Sequence, residues 1–273
     1  MHLRKGPLLR NEYIIPSIGL GVYRSPKGAI TFDAVTHALN CGYRHFDTAS
    51  IYGNEADVGA AIKQSFVPRS EVFITTKLWN GDQGYDSTLL AFEQSLNTLD
   101  LEYIDLYLMH FPVPQLRLES WAAMEELYTK GKVKAIGVSN FLPHHLEELI
   151  NTCRIVPMVN QIEANPFQTQ EATRELCKKH DIIVSAYSPL VKAQKMNHPV
   201  LVQVARQHKK SVAQVLIRWA IQRDMVPLPK SNTPSRILEN SQVFDFTLSD
   251  PQLKTLDELN QDLYTGWSPV GIP

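Results

Sequence analysis

Three apolar stretches of this chain each run directly into a reactive side chain: Arg44-His45-Phe46-Asp47, Val72-Phe73-Ile74-Thr75-Thr76-Lys77 and Ile104-Asp105-Leu106-Tyr107-Leu108-Met109-His110. Short, nearly continuous apolar runs are what strands buried on both faces of a parallel sheet require. When several such strands end in ionisable groups, the groups gather at one rim, the face at which α/β barrels carry out chemistry. A tyrosine, Tyr52, follows the first run after a short loop. The pattern is that of an enzyme.

The rest of the chain repeats the unit. Eight β-rich runs, near 17–21, 44–47, 72–77, 104–110, 133–139, 157–162, 182–187 and 225–229, alternate with longer stretches of helical period, as expected of successive βαβ units. Leu89, Phe92, Leu96 and Leu99 have the three-and-four spacing of a helix burying one face, and Trp121, Met124, Leu127 and Tyr128 repeat it. The interval before the eighth run holds two helical pieces, 199–208 and 211–222, and Leu8–Ile15 ahead of the first run reads as a small hairpin. No Pro/Ser-rich linker or shift of composition divides the chain. These features predict one domain over 1–273 of α/β class: a (β/α)8 TIM barrel with an N-terminal β-hairpin closing the bottom. The competing fold is an open doubly wound sheet with a Gly-x-Gly-x-x-Gly turn, and Gly19-Leu20-Gly21-Val22-Tyr23-Arg24 lacks the third glycine. That segment reads as a tight turn after the first strand.

Charge and composition narrow the partners. A net charge of -1 gives no basic surface for a nucleic-acid backbone and no acidic tail, so a small molecule is the expected partner. Cys41, Cys153 and Cys177 are odd in number and far apart, which argues against a disulfide frame or thiolate metal site and suits a reducing cytoplasm. No apolar run reaches the roughly 18 to 20 residues of a bilayer-spanning helix, and Arg10, Asn11 and Glu12 interrupt any signal-peptide core. A cytoplasmic protein with no membrane partner is expected.

In a barrel, Asp47, Lys77 and His110 end adjacent staves and point into the same mouth, with Tyr52 on the loop above Asp47. A phenol has an ordinary pKa near 10, and a neighbouring ammonium favours its ionised form. Lys77 is placed to be that neighbour and Asp47 to keep the lysine charged. The result is a phenol able to protonate an oxygen that is becoming negative, with His110 as a second donor, an arrangement suited to carbonyl reduction. Taken singly, each has an ordinary explanation: an ion pair for Asp47 or Lys77, a satisfied core histidine for His110, packing for Tyr52. Their convergence favours function. No His-x-His on the first strand and no carboxylates beside His110 indicate a metal site.

After the eighth run, Leu228-Pro229-Lys230-Ser231-Asn232-Thr233-Pro234-Ser235-Arg236 leads into a helix with Thr233 as N-cap and Pro234 as first helical residue. Free N–H groups there, with Lys230 and Arg236, form a phosphate site of a kind that recurs after the last strands of barrels. The alternative is a capped surface helix with a solvated lysine.

The segments Gly42-Tyr43-Arg44-His45-Phe46-Asp47-Thr48-Ala49, Tyr52-Gly53-Asn54-Glu55, Thr76-Lys77-Leu78-Trp79 and Gly137-Val138-Ser139-Asn140-Phe141 together closely resemble the aldo-keto reductases, in the right order from the hairpin to about Trp267. The resemblance implies that Asp47, Tyr52, Lys77 and His110 form a catalytic tetrad, that Tyr52 is the general acid and that NADPH is the hydride source. It further implies that Lys230, Ser231, Asn232 and Arg236 meet the 2′-phosphate and that Glu239 and Asn240 lie near the adenine. By the same likeness Ser139, Asn140 and Gln161 hold the nicotinamide amide, Tyr187 stacks on the ring, and Asp47 also reaches the ribose. Gly21, Val22, Tyr23, Ser188 and Leu190 complete the implied cofactor set. The family is commonly monomeric.

Tyr23, Trp79, His110, Phe111 and Trp267 are the candidate walls of a pocket for apolar or aromatic aldehydes. Relatives usually carry tryptophan where Phe111 stands. A brief tail from Trp267 to Pro273 and a modest loop from Pro189 to Pro199 predict an open site. Arg117 reads either as a contact for an acidic substrate or as a solvated surface residue. Two other activities fit the same fold: a Schiff-base aldolase using Lys77 as nucleophile, and an NADPH-binding redox-sensor subunit.

Overall fold

The computed structural model describes residues 5–273, and Met1–Arg4 lie outside them. Eight parallel strands follow one another around the sheet in chain order: β1 (Leu20–Gly21), β2 (His45–Asp47), β3 (Phe73–Leu78), β4 (Ile104–Met109), β5 (Val133–Ser139), β6 (Val159–Glu163), β7 (Ile183–Tyr187) and β8 (Met225–Leu228). The connecting helices are α1 (Ala29–Asn40), α2 (Glu55–Gln64), α3 (Tyr85–Leu99), α4 (Arg117–Thr129), α5 (Pro143–Thr152), α6 (Glu171–Lys179), α7 (Pro199–His208), α8 (Val212–Gln222), α9 (Pro234–Ser241) and α10 (Asp250–Asp257). The chain is a (β/α)8 barrel.

The first strand is shorter than expected for a reason visible at the seam. Gly19 N–H donates to Pro227 O at 3.0 Å and Gly21 N–H to Pro229 O at 3.2 Å. The N–H and C=O of one strand residue point to the same side, so the two prolines turn sites without a hydrogen toward β1. Bonds therefore run one way only, and β1 is a two-residue strand while the barrel still closes. Glycine at 19 permits the approach, since a Cβ there would stand 2.7 Å from Leu228 and 2.8 Å from the His45 ring.

Side-chain alternation divides the core in two. Phe46, Ile74, Tyr107, Met109, Ile136, Val138 and Ile162 face outward into the layer packed against the helices. Phe73, Leu106, Leu108, Ala135, Val159 and Val226 face inward and meet Leu9 and Ile15 of the N-terminal hairpin. The hairpin is small: one bridge, Leu8 to Ile14, with Leu9 N–H on Tyr13 O at 2.8 Å. Its Tyr13 hydroxyl donates to buried Asp105 at 2.5 Å, which also accepts from Arg69 at 2.6 Å and Ile74 N–H at 2.9 Å. One carboxylate thus pins the plug to the barrel's lower end.

Because side chains alternate with a period of two, the inward set that is apolar at the bottom continues upward as Asp47, Lys77, His110, Ser139, Gln161 and Tyr187. The helices extend beyond the periodic residues that predicted them, on the N-terminal side only for Tyr85–Leu99 and on both sides for Arg117–Thr129. The two pieces before β8 are α7 and α8, and Ser211 caps α8 by exchanging hydrogen bonds with Gln214.

Candidate active site

Lys77 is the centre of the rim. It is 0% exposed, and its ammonium donates to Asp47 Oδ1 at 2.7 Å and to Thr48 O at 2.8 Å, with Tyr52 Oη at 3.4 Å. Burial pulls Lys77 below the ordinary lysine pKa, while Asp47 and, behind the strand, Glu55 act in the opposite sense. Asp47 is gripped from two sides, because Gln161 Nε2 reaches across from β6 and donates to Oδ2 at 2.7 Å.

Tyr52 closes a 3-10 turn, Ser50–Tyr52, that ends at Gly53 with φ of 65°, a left-handed conformation suited to glycine. Ser50 Oγ ties that turn to Lys77 O at 3.1 Å. Asn54 fixes the loop from the other side: it accepts from Thr48 Oγ1 at 2.9 Å and donates to Val22 O at 3.0 Å and Ser25 O at 3.2 Å. The expected pull of Lys77 on the phenol is opposed by its surroundings. Burial pushes Tyr52 well above 10, and Asp47, Tyr187 and Tyr23 add to the rise. Burial thus holds the proton on the hydroxyl.

His110 completes the group. Its ring meets Tyr52 edge-on at 5.8 Å between centroids and Trp79 at 5.5 Å. Burial and the Lys77 charge lower its pKa well below 6.5, so the ring is neutral. Its backbone is held by Leu78 O, 3.1 Å from His110 N, and by Asn140 Nδ2, 3.0 Å from His110 O.

Ser139, Asn140, Gln161 and Tyr187 form a connected patch at the ends of β5, β6 and β7. Asn140, at φ of 63°, also donates to Ser139 Oγ at 3.1 Å and accepts from Tyr187 Oη at 2.7 Å; Ser139 Oγ donates to Gln161 O at 2.8 Å. Gly21 N–H and Val22 N–H are spent on Pro229 O and Asp47 O. Ser188, Val191, Lys192 and Ala193, around Leu190, have φ between 47° and 64°, an unusual run for residues with side chains.

The loop after β8 sits beside the one after β1, since Ser25 Oγ donates to Asn232 Oδ1 at 2.9 Å. Lys230 and Arg236 are exposed, and neither has an ion-pair partner among the described residues. Thr233 is the N-cap of α9 and Pro234 its first residue, as expected, but the Thr233 side chain accepts no capping bond. Ser231 Oγ takes Thr233 N–H at 3.1 Å instead, and the amides of Arg236 and Ile237 both fold onto Thr233 O. Fewer N–H groups are free than the sequence implied, so the two cations carry more of any anion affinity. Glu239 is engaged by Ser211 Oγ, and Asn240 is buried.

Of the proposed walls, Tyr23 is 43% exposed and lies against Tyr52, with 4.9 Å between centroids, and Trp79 meets Trp267, which is 60% exposed, at a tilt with 5.5 Å between centroids. Phe111 is buried, its carbonyl held by Gln83 at 2.7 Å. One reading is corrected. Arg117 is not solvated: it is buried, pairs with Glu148 and donates to Pro273 O at 2.6 Å. The tail itself is anchored at both ends. Glu163 holds Thr265 and Gly266, and Arg117 and His145 hold Pro273 and Ile272. Glu163 and Lys192 were missed because their partners lie more than seventy positions away, with 102 separating Glu163 from Thr265 and 73 separating Lys192 from it.

A family model described as the aldo/keto reductase family matches residues 17–261. The chain belongs to the aldo-keto reductases. It is 50% identical over 264 residues to a 9,11-endoperoxide prostaglandin H2 reductase of Trypanosoma cruzi, covering 96% of this chain and 93% of the relative. It is 48% identical over 261 residues to a glyoxal reductase of Bacillus subtilis, covering 96% and 95%. Among solved structures, an aldo-keto reductase from a Medee basin deep-sea metagenome library superposes with a TM-score of 0.95 at 45% identity, covering 98% of this chain and 100% of that one. As an aldo-keto reductase the protein is an oxidoreductase that works on carbonyl groups. Among the described residues, no helix is long and apolar enough to cross a membrane, and no group of three His, Cys, Asp or Glu side chains converges as metal ligands would.

Proposed function

We propose that this protein reduces aldehydes and some ketones to alcohols with NADPH, with Tyr52 as the general acid. The observation that carries the reading is the contact chain Asp47, Lys77, Tyr52, in which a buried ammonium stands 3.4 Å from the phenol oxygen. A carbonyl oxygen lodged beside Tyr52 and His110 would receive the phenolic proton as it gains charge. Lys77 would stabilise the phenolate left behind, which burial otherwise disfavours. Asp47 keeps Lys77 charged, and neutral His110 orients the oxygen without competing for the proton.

The donor set fits a phosphorylated dinucleotide: two unpaired cations, Lys230 and Arg236, with Ser231 at the start of α9, and a polar patch of Ser139, Asn140 and Gln161 beside the Tyr187 ring. Arg236 and Lys230 would hold the 2′-phosphate, and Glu239 and Asn240 would lie by the adenine. NADPH, when bound, supplies the hydride. Gln161 would exchange its contact with Asp47, or share it, to meet the nicotinamide amide. The chemistry proposed needs no metal, nucleic acid or membrane partner. Three free cysteines suit a reducing cytoplasm, and we assign the chain as one barrel domain acting as a monomer.

A Schiff-base role for Lys77 is disfavoured by the same geometry. An ammonium bonded to Asp47, Thr48 O and Tyr52 has no lone pair to offer a carbonyl. The test is NADPH oxidation against a panel of aldehydes, ketones and sugars, with NADH as control and borohydride trapping in parallel. Multiple turnover with simple aldehydes supports the reductase and sets aside a sensor subunit. No turnover, or a trapped adduct on Lys77, ends the proposal.

A further inference from the structure

The tail after α10 runs over the barrel mouth and is fastened where it crosses. Gln261 N–H and Leu263 N–H both donate to Phe167 O at 3.0 Å, beyond β6, and Gln170 Nε2 holds the Tyr264 hydroxyl at 2.8 Å. The chain then reaches Glu163, the last residue of β6 and, like Gln161 two positions earlier, an inward-facing one. The Glu163 carboxylate is 0% exposed. It accepts Thr265 N–H at 3.0 Å on both oxygens, Gly266 N–H at 3.1 Å and the Thr265 hydroxyl. No cation pairs with it among the described residues, so these backbone and hydroxyl donors are its solvation.

From the neighbouring stave, Lys192 donates its ammonium to Thr265 O. Lys192 sits in the left-handed run Val191–Ala193, and Val191, a β-branched residue at φ of 52°, is fully buried there. Such a conformation persists only where its surroundings enforce it. Beyond Gly266, Trp267 leans on Trp79, which in turn meets His110. The path from the ends of β6 and β7 to the loop after β3 spans the mouth above the tetrad.

We propose that Tyr264–Trp267 is a strap clamped by Glu163 and Lys192, and that these two are positioning residues which set substrate size by holding Trp267 as the roof over Trp79 and His110. The clamped roof favours small carbonyl compounds and excludes bulky ones. The size-selection part rests on the reductase activity proposed above; the clamp itself does not.

The experiment uses the full chain as Glu163→Gln and Lys192→Met, with Trp267→Ala as reference. Amide exchange at Thr265 and Gly266 should accelerate at least roughly tenfold in Glu163→Gln, because their acceptor is weakened. The ratio of kcat/KM for naphthaldehyde to that for acetaldehyde should rise about tenfold in both clamp variants and in Trp267→Ala. Glu163→Gln added to Trp267→Ala should give no further change in that ratio, since both act through one ring. Wild-type exchange at both amides overturns the clamp, and Lys192→Met keeps the size test in hand if Glu163→Gln does not fold. An unchanged ratio beside accelerated exchange overturns the size-selection role. Where the wild-type protein turns over no carbonyl compound, the reductase reading fails on its own and the exchange data still decide the clamp.

Discussion

Gln161 donates its side-chain amide to Asp47 Oδ2 at 2.7 Å, joining the ends of β6 and β2 across the barrel mouth. With Lys77 on the other oxygen, both acceptors of a nearly buried carboxylate are occupied before any ligand arrives. Hydrogen bonds to charged groups contribute about 1.5 to 3 kcal/mol each. Gln161→Leu should therefore lower the free energy of unfolding by about 1.5 to 3 kcal/mol, read as a lower urea midpoint at unchanged slope. A wild-type midpoint would mean that Lys77 alone holds Asp47.

Tyr52→Phe removes one proton donor and leaves the ring against Tyr23 and His110. Aldehyde reduction should fall roughly 10²- to 10⁴-fold, while NADPH binding, followed by fluorescence, persists. Because burial holds the phenol's proton on, the loss should come from kcat, where the transition-state oxygen is protonated. Retained turnover would remove Tyr52 from the role of acid.

Arg236→Ala takes away one of the two cations, Lys230 and Arg236, that have no ion-pair partner among the described residues. NADPH should bind about 1.5 to 3 kcal/mol more weakly and NADH nearly as before, measured by titration of each cofactor. With two first-turn amides folded onto Thr233 O, the arginine has little backbone help to hide behind. Equal losses for both cofactors would contradict a phosphate contact.

The barrel was legible because its signals are local: apolar runs of strand length, helical spacing at Leu89–Leu99, and ionisable residues at fixed ends of strands. Period-two alternation carries that reading to the rim, so Asp47, Lys77 and His110 fall together once the sheet closes. What stayed hidden depends on partners distant in sequence. Gln161 on Asp47, Glu163 on Thr265 and Arg117 on Pro273 are separated by 114, 102 and 156 positions, and nothing near any of them marks the pairing. The direction of the Tyr52 shift was hidden for another reason. A charge beside the phenol can be read from the sequence, whereas the depth of its burial is a property of the assembled loops.

Burial also fixes how stability responds to acid. His45 lies inside the barrel with Nε2 3.0 Å from Thr75 Oγ1, and burial, with the Lys77 charge, lowers its pKa to about 3. His110 is displaced in the same direction. Both rings stay neutral in the folded protein while an unfolded histidine takes up a proton near pH 6.5. Each folded pKa is depressed, so each contribution to stability is present above pH 6.5 and is lost as the pH falls toward the folded value. Between pH 7 and 5 the loss should be about 2 kcal/mol for His45, seen as a falling urea midpoint, with His110 acting in the same direction. His45→Gln should flatten that fall by about one histidine's share. A midpoint independent of pH over this range would mean that the rings accept protons inside the fold, against the close packing of His45 by Gly19 and Phe73.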